Sequence, residues 1–224
     1  MKFTASFDDS LDFVDLVIEK DNGMVEQKRI VYEEFFNILS LATIETSNGV
    51  PVGRLPKGFY DGVIQGDALN FSLVVVLPAE VRPINYFGDL FMVPFPALAF
   101  QFTVDAGNLT VSKLYALDTS LPNPESVLYH YPFGNVYSDG KICWGMNVLN
   151  KLPSKQAIDT VVAAFFSAET NDDLYINSKY KTQRALIESL KGKQTFPRKL
   201  LTSCASDRCA GVCTMRMLVE SCQL

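Results

Sequence analysis

The chain has 224 residues, of which 48% are hydrophobic and 20% charged, with a formal net charge of -5. That composition excludes a disordered chain or a highly charged tail, and it leaves ample apolar material for one large domain or a domain with an appended piece. The acidic balance, without any Lys/Arg cluster, argues against a surface that tracks phosphates, so no nucleic acid is expected as a partner.

The opening stretch MKFTASFDDSLDF has one lysine followed by acids, and lacks the apolar run and small-residue cleavage site of a secretion signal. No span approaches about 18 consecutive apolar residues, the length of a membrane helix. A cytoplasmic protein with no membrane partner is expected. Five cysteines, an odd number with four crowded near the C-terminus, fit a reduced compartment better than a disulfide framework.

Apolar residues at Phe13, Val14, Leu16, Val17 and Ile18, the turn signal DNG at 21–23 and a second run to Tyr32 predict a β-hairpin. EEFFNILSLA puts Phe35, Ile38, Leu39 and Ala42 on one helical face, and SNGVPVGRLPKG reads as a connection. From residue 70 strands take over: NFSLVVVL stopped by Pro78, DLFMV before Pro94, PALAFQFTV and LTVSKLYAL, each rich in β-branched or aromatic residues. They read as an antiparallel meander of about four strands. The long segment LPNPESVLYHYPFGNVYSDG is punctuated by proline and glycine, but its aromatics argue for order. In PSKQAIDTVVAAFFSA, Ser154 is placed as N-cap and Ile158, Val161, Val162 and Phe165 form a buried stripe. A weaker helical pattern runs through SKYKTQRALIESLKG to Gly192. The expected fold class is α+β: an antiparallel meander sheet backed by helices, with an N-terminal hairpin extension. Three parts are expected: a hairpin and helix extension over 1–60, the main domain over 61–200 and a Cys-rich tail over 201–224.

Residues 129–147, YHYPFGNVYSDGKICWGMN, hold the only histidine, the only tryptophan and Cys143, the cysteine that stands apart. An isolated cysteine is more often a small buried hydrophobe than a reactive group. A hydrolytic Cys-His pair would have to use His130, and a zinc hydrolase has no second histidine to draw on. Transthiolation makes smaller demands, because the acyl carbon arrives already activated as a thioester and no strong base is required. Its second step wants a donor for the tetrahedral oxyanion, which a neutral side-chain amide in a rigid loop can supply. Asn135 lies eight residues before Cys143, with Gly140 permitting a turn between them. Cys143 as acyl acceptor and Asn135 as oxyanion donor are the candidate catalytic residues. The alternative for Asn135 is loop support through a bond to its own backbone.

NVYSDGKIC resembles the active-site segment of ubiquitin-conjugating enzymes, where a His-Pro-Asn motif precedes Gly, any residue, an aliphatic residue and the catalytic cysteine at this separation. Asn135, Gly140, Ile142 and Cys143 match. Gly134 stands where that family has proline, Pro132 is displaced by two positions, and His130 lies five residues before the asparagine. Trp144 and Gly145 follow the cysteine where eukaryotic members usually carry leucine and an acidic residue. LYHYPFGNVYSDGKICWG, with the later FP at 196–197, is similar to prokaryotic family D, the bacterial branch that includes PRTRC system protein B. The looser likeness runs from about residue 70 to 200. The resemblance implies a ubiquitin-conjugating-enzyme-like fold and an acyltransferase. Its partners would be a ThiF-type activating enzyme, a ubiquitin-like protein and a substrate lysine. No cofactor of its own is implied, since ATP is consumed by the activating enzyme. A non-catalytic scaffold of the same fold is the competing reading.

Cys204, Cys209, Cys213 and Cys222 could ligate zinc, but their spacings are not those of the common knuckles, and free thiols on a tail or a partly buried final helix are the favoured readings. No metal is expected. Asp172 and Asp173 fall where an acidic rim would hold an incoming lysine ammonium, although solvated turn residues would look the same. Tyr129, Tyr131, Phe133, Tyr137 and Trp144 either form a recognition surface or pin the loop to the core.

Overall fold

The computed structural model describes residues 2–7, 13–31, 34–35, 54–64, 69–145, 151–176, 179–204 and 212–222. The chain forms two compact units, Met1–Pro51 and Val52–Leu224. In the first, β1 (Lys2–Phe7), β2 (Phe13–Glu19) and β3 (Val25–Val31) make an antiparallel sheet in chain order. The expected hairpin is β2–β3. Gly23, with φ of +80°, lets the DNG turn close, and Asp15 pairs with Arg29 across the strands. The helix read through Ile38, Leu39 and Ala42 lies outside the described residues.

The second unit is built on a five-stranded sheet and a three-stranded one. The strands are β4 (Phe59–Ile64), β5 (Phe71–Leu77), β6 (Glu80–Tyr86), β7 (Asp89–Phe95), β8 (Ala97–Asp105), β9 (Asn108–Leu117), β10 (Tyr129–His130) and β11 (Glu169–Thr170). Their orders are β10-β9-β8-β5-β4 and β11-β6-β7. Every pair is antiparallel except β11 with β6. The antiparallel strands expected from residue 70 are present, but they do not run as one meander. β5 pairs with β8, and β6–β7 forms a separate hairpin between them. Pro78 and Pro96 stand just outside β5 and between β7 and β8, where the chain leaves one sheet and rejoins the other. Pro94 does not end β7, because β7 is an edge strand and can spare an N–H. β6 escapes the sequence pattern for the same kind of reason: Pro83 interrupts it, yet its second edge is paired only at Asn85 and Tyr86.

β5 and β8 are buried on both faces, which is why they read as continuous apolar runs. Leu73, Leu98, Phe100, Phe102 and Leu114 point to the main core. The helix α1 (Ile158–Ser167) joins that core through Ile158, Val161 and Phe165, and α2 (Gln183–Leu190) joins it through Leu186, Ile187 and Leu190. Val74, Ala97, Ala99, Tyr115 and Leu117 point the other way, where Leu128, Cys204, Met215, Leu218 and Cys222 cover them. The partly buried final helix is therefore α3 (Met215–Glu220), capped by Thr214, whose side chain accepts from Met217 N. No helix among the described residues is long and apolar enough to cross a membrane.

Candidate active site

The segment carrying Cys143 keeps order by borrowing the free edge of β9. After β10 pairs with Tyr115 and Ala116, the chain leaves, then returns so that Leu114 N donates to Gly140 O (2.8 Å) and Ile142 N donates to Ser112 O (3.0 Å). Between these anchors Tyr131 and Phe133 enter the main core, with Phe133 4.7 Å from Phe95 between ring centroids. Trp144 lies against Phe165 and donates from Nε1 to Ser112 Oγ (2.9 Å). These three rings pin the loop. Tyr137 is the one left exposed beside the cysteine, at 44% of its accessible surface.

Within the segment, Val136 bridges to Ile142, Tyr137 N donates to Lys141 O (2.9 Å) and Gly140 N donates to Tyr137 O (2.9 Å). Gly140 is required twice over. Its φ is +84°, and a Cβ there would be driven into the Tyr115 ring, whose hydroxyl donates to Asp139 O (2.9 Å). The tight turn brings the two candidate residues together, with Cys143 N donating to Asn135 O at 2.8 Å.

Asn135 has φ of +68°, a conformation that asparagine tolerates better than most residues. Its side-chain Nδ2 does not bond its own backbone; it donates to Glu169 O, on β11, at 2.8 Å. The residue before it is held from below. Gly134 N donates to Oε1 of Gln183 at 2.5 Å, and Gln183, fully buried at the start of α2, also exchanges hydrogen bonds with Thr170 Oγ1. A Cβ at position 134 would come within 2.5 Å of Asn171 O and Thr170 Oγ1. Sequence reasoning missed Gln183, Thr170 and Glu169. The cue present was Thr182, which caps α2 by accepting from Ala185 N and so marks Gln183 as the first helical residue.

Cys143 is partly buried and opens onto a cleft of about 580 Å³. One wall is Asn135, Tyr137, Trp144 and Gly145, and the other runs from Ser167 through Glu169, Asn171 and Asp173 to Leu174. The two aspartates of the expected rim separate. Asp173 lines the cleft, whereas Asp172 turns inward, accepting from Gln183 N (2.8 Å) and Tyr86 O–H (3.1 Å). Burial, and then this carboxylate, push the Tyr86 hydroxyl above its ordinary pKa. His130 is buried on β10, shares the Tyr115 face and does not line the cleft.

Cys204 and Cys222 are buried in the apolar layer on the far side of the sheet, and Cys213 is partly buried there. Gln101 Nε2 donates to Cys222 Sγ at 3.6 Å, and burial raises that thiol above its ordinary pKa. Among the described residues no group of His, Cys, Asp and Glu could hold a metal ion; Cys209 lies outside them.

The family model for prokaryotic E2 family D matches residues 78–204, more than half of the chain, from the strands β6 and β7 to the end of the segment following α2. No curated protein and no solved structure matches the chain.

Proposed function

The chain belongs to prokaryotic E2 family D, and from that membership we propose that it is a conjugating enzyme that carries a ubiquitin-like protein as a thioester on Cys143. A ThiF-type activating enzyme, using ATP, delivers the acyl group, and an amine, usually a lysine of a protein substrate, removes it. The observation that carries this reading is the shared cleft of Cys143 and Asn135, closed by the 2.8 Å bond between their backbones.

Charging exchanges one thioester for another of similar energy and depends on docking and access to sulfur. Discharge is harder, because a tetrahedral oxyanion develops as the amine adds. One hydrogen of Asn135 Nδ2 is committed to Glu169 O, which fixes the amide; the second hydrogen of the same nitrogen is the proposed oxyanion donor. Anchoring and donation are thus compatible, since the bond that supports the loop also removes the cost of orienting the donor. Glu169 and Asp173 on the facing wall supply negative charge to hold the incoming ammonium before it loses its proton.

Incubation with the activating enzyme, the ubiquitin-like protein and ATP is expected to yield an adduct cleaved by thiol reductant and absent in Cys143→Ala. Partner binding that is indifferent to Cys143 and yields no adduct would establish a non-catalytic scaffold instead. Turnover of a thioester without an activating enzyme, dependent on His130, would establish a hydrolase.

A further inference from the structure

Resting on the conjugating reading of Cys143, we propose that Tyr137 is a further catalytic residue: a neutral donor that holds the Cys143 sulfur as a thiolate when the acyl group arrives and again when it leaves. The Tyr137 hydroxyl donates to Cys143 Sγ at 3.8 Å, and it is the side-chain hydrogen bond the sulfur receives among the described residues. The tyrosine cannot drift far, because its backbone N–H and C=O are both tied across the turn, to Lys141 and Gly140. Its ring is nevertheless exposed, so packing alone does not account for its position.

The charges around the sulfur show what such a donor contributes. Asp139 and Lys141 flank it in the turn, and Glu169 and Asp173 face it from the opposite wall. With three carboxylates against one lysine, the surroundings of the sulfur carry a net negative charge. A cationic donor would offset that charge, but it would also repel the ammonium group that the cleft must admit. A phenol hydroxyl stabilises the anion without adding charge. It also keeps its own proton: the sulfur, first as hydrogen-bond partner and then as charge, holds the Tyr137 hydroxyl above the ordinary tyrosine pKa.

In charging, the Cys143 thiolate attacks the acyl carbon. A new C–S bond forms, the tetrahedral oxyanion collapses, and the activating enzyme's cysteine leaves with the bonding pair and takes a proton from solvent. In discharge, the amine nitrogen forms the C–N bond and gives its proton to water, while the C–S bond breaks and Sγ departs with the pair into the Tyr137 hydrogen bond. The O–H bond of Tyr137 stays intact in both. Asn135 serves the oxyanion and Tyr137 serves the sulfur, so the two are separable.

The test is the pH profile of iodoacetamide alkylation at Cys143, read by mass spectrometry of its own peptide in the full chain, which needs no activating enzyme. Tyr137→Phe is expected to move the midpoint to higher pH by about half a unit, the share of a charge-assisted hydrogen bond that survives at an exposed site. Tyr137→His, which restores an N–H donor, is expected to return the midpoint to the wild-type value or below it. Superimposable profiles for wild type and Tyr137→Phe would overturn the proposal, as would an equal upward shift in both variants, which would assign the effect to lost packing. A shift in Tyr137→Phe without thioester formation on the wild-type chain would remove the conjugating reading and leave Tyr137 as a donor to sulfur only.

Discussion

The loop that carries Cys143 and the C-terminal segment that carries Cys222 are both largely irregular, and both are fastened to the same five-stranded sheet, but by opposite means. Besides its three pinning rings, the loop is held by directed polar bonds: Gly140 and Ile142 to the edge of β9, Gly134 to Gln183, Asn135 to Glu169 and Cys143 to Asn135. The C-terminal segment is held by apolar area, with Cys204, Met215, Leu218 and Cys222 laid over Val74, Ala97 and Ala99. Polar bonds fix atoms in place while leaving a sulfur open to a cleft. Apolar cover gives more stability per residue and shuts its thiols away. What separates a cysteine open to a cleft from a covered one here is the kind of fastening around it, since neither position is distinguished by the residue itself.

The contrast is broken most severely from the apolar side. Leu218→Ala is expected to lower unfolding free energy by about 3 kcal/mol, the usual cost of emptying a fully buried leucine site. Urea denaturation measures the loss, and Cys143 alkylation should stay within about twofold of wild type if the two regions are independent. A smaller loss, about 2 kcal/mol, is expected for Gln183→Leu, which leaves the Gly134 N–H buried without its acceptor. Here the damage should be local, so hydrogen exchange across residues 133–143 should rise while α3 keeps its protection.

Asn135→Ala sharpens the contrast without unfolding anything. Charging of Cys143 should run at near-normal speed while discharge to lysine slows at least tenfold, about 1.4 kcal/mol in the barrier, in a single-turnover chase. Equal discharge rates would leave Asn135 with loop support alone, and a parallel loss of charging would point the same way. The mildest effect is alkaline. Burial raises the Cys222 thiol above its ordinary 9.0, so the native state keeps a proton that the unfolded chain gives up. Its contribution is complete below pH 9 and is lost as pH rises past it, by up to about 1 kcal/mol per pH unit. Stability of Cys222→Ala, lower at neutral pH, should therefore decline less steeply than wild type between pH 9 and 10.

Much of this architecture is legible in the sequence because it is local. The β2–β3 hairpin announces itself through DNG between two apolar runs, and β5, β8 and β9 through their β-branched and aromatic content. The pairing of β5 with β8 is not local, and nothing in either strand names its partner across the intervening β6–β7 hairpin. At the site, the approach of Asn135 to Cys143 follows from their spacing and Gly140, a short-range matter of turn geometry. The supports are invisible for the opposite reason. Gln183 at the head of a helix reads as a solvated polar residue until the fold buries it 49 positions away from Gly134. Glu169 contributes a backbone carbonyl, which leaves no mark in the side-chain pattern at all.

Gly134 has a consequence for how parts of this protein could be exchanged with relatives. Conjugating enzymes that carry proline before the asparagine present no N–H at that point, and a proline ring would also meet the atoms of Thr170 and Asn171 that already crowd the missing Cβ. A loop transplanted from such an enzyme would leave the Gln183 carbonyl facing a ring it cannot bond. The Cys143 loop and the first turn of α2 therefore behave as a single graft, which a chimera must move together or leave alone.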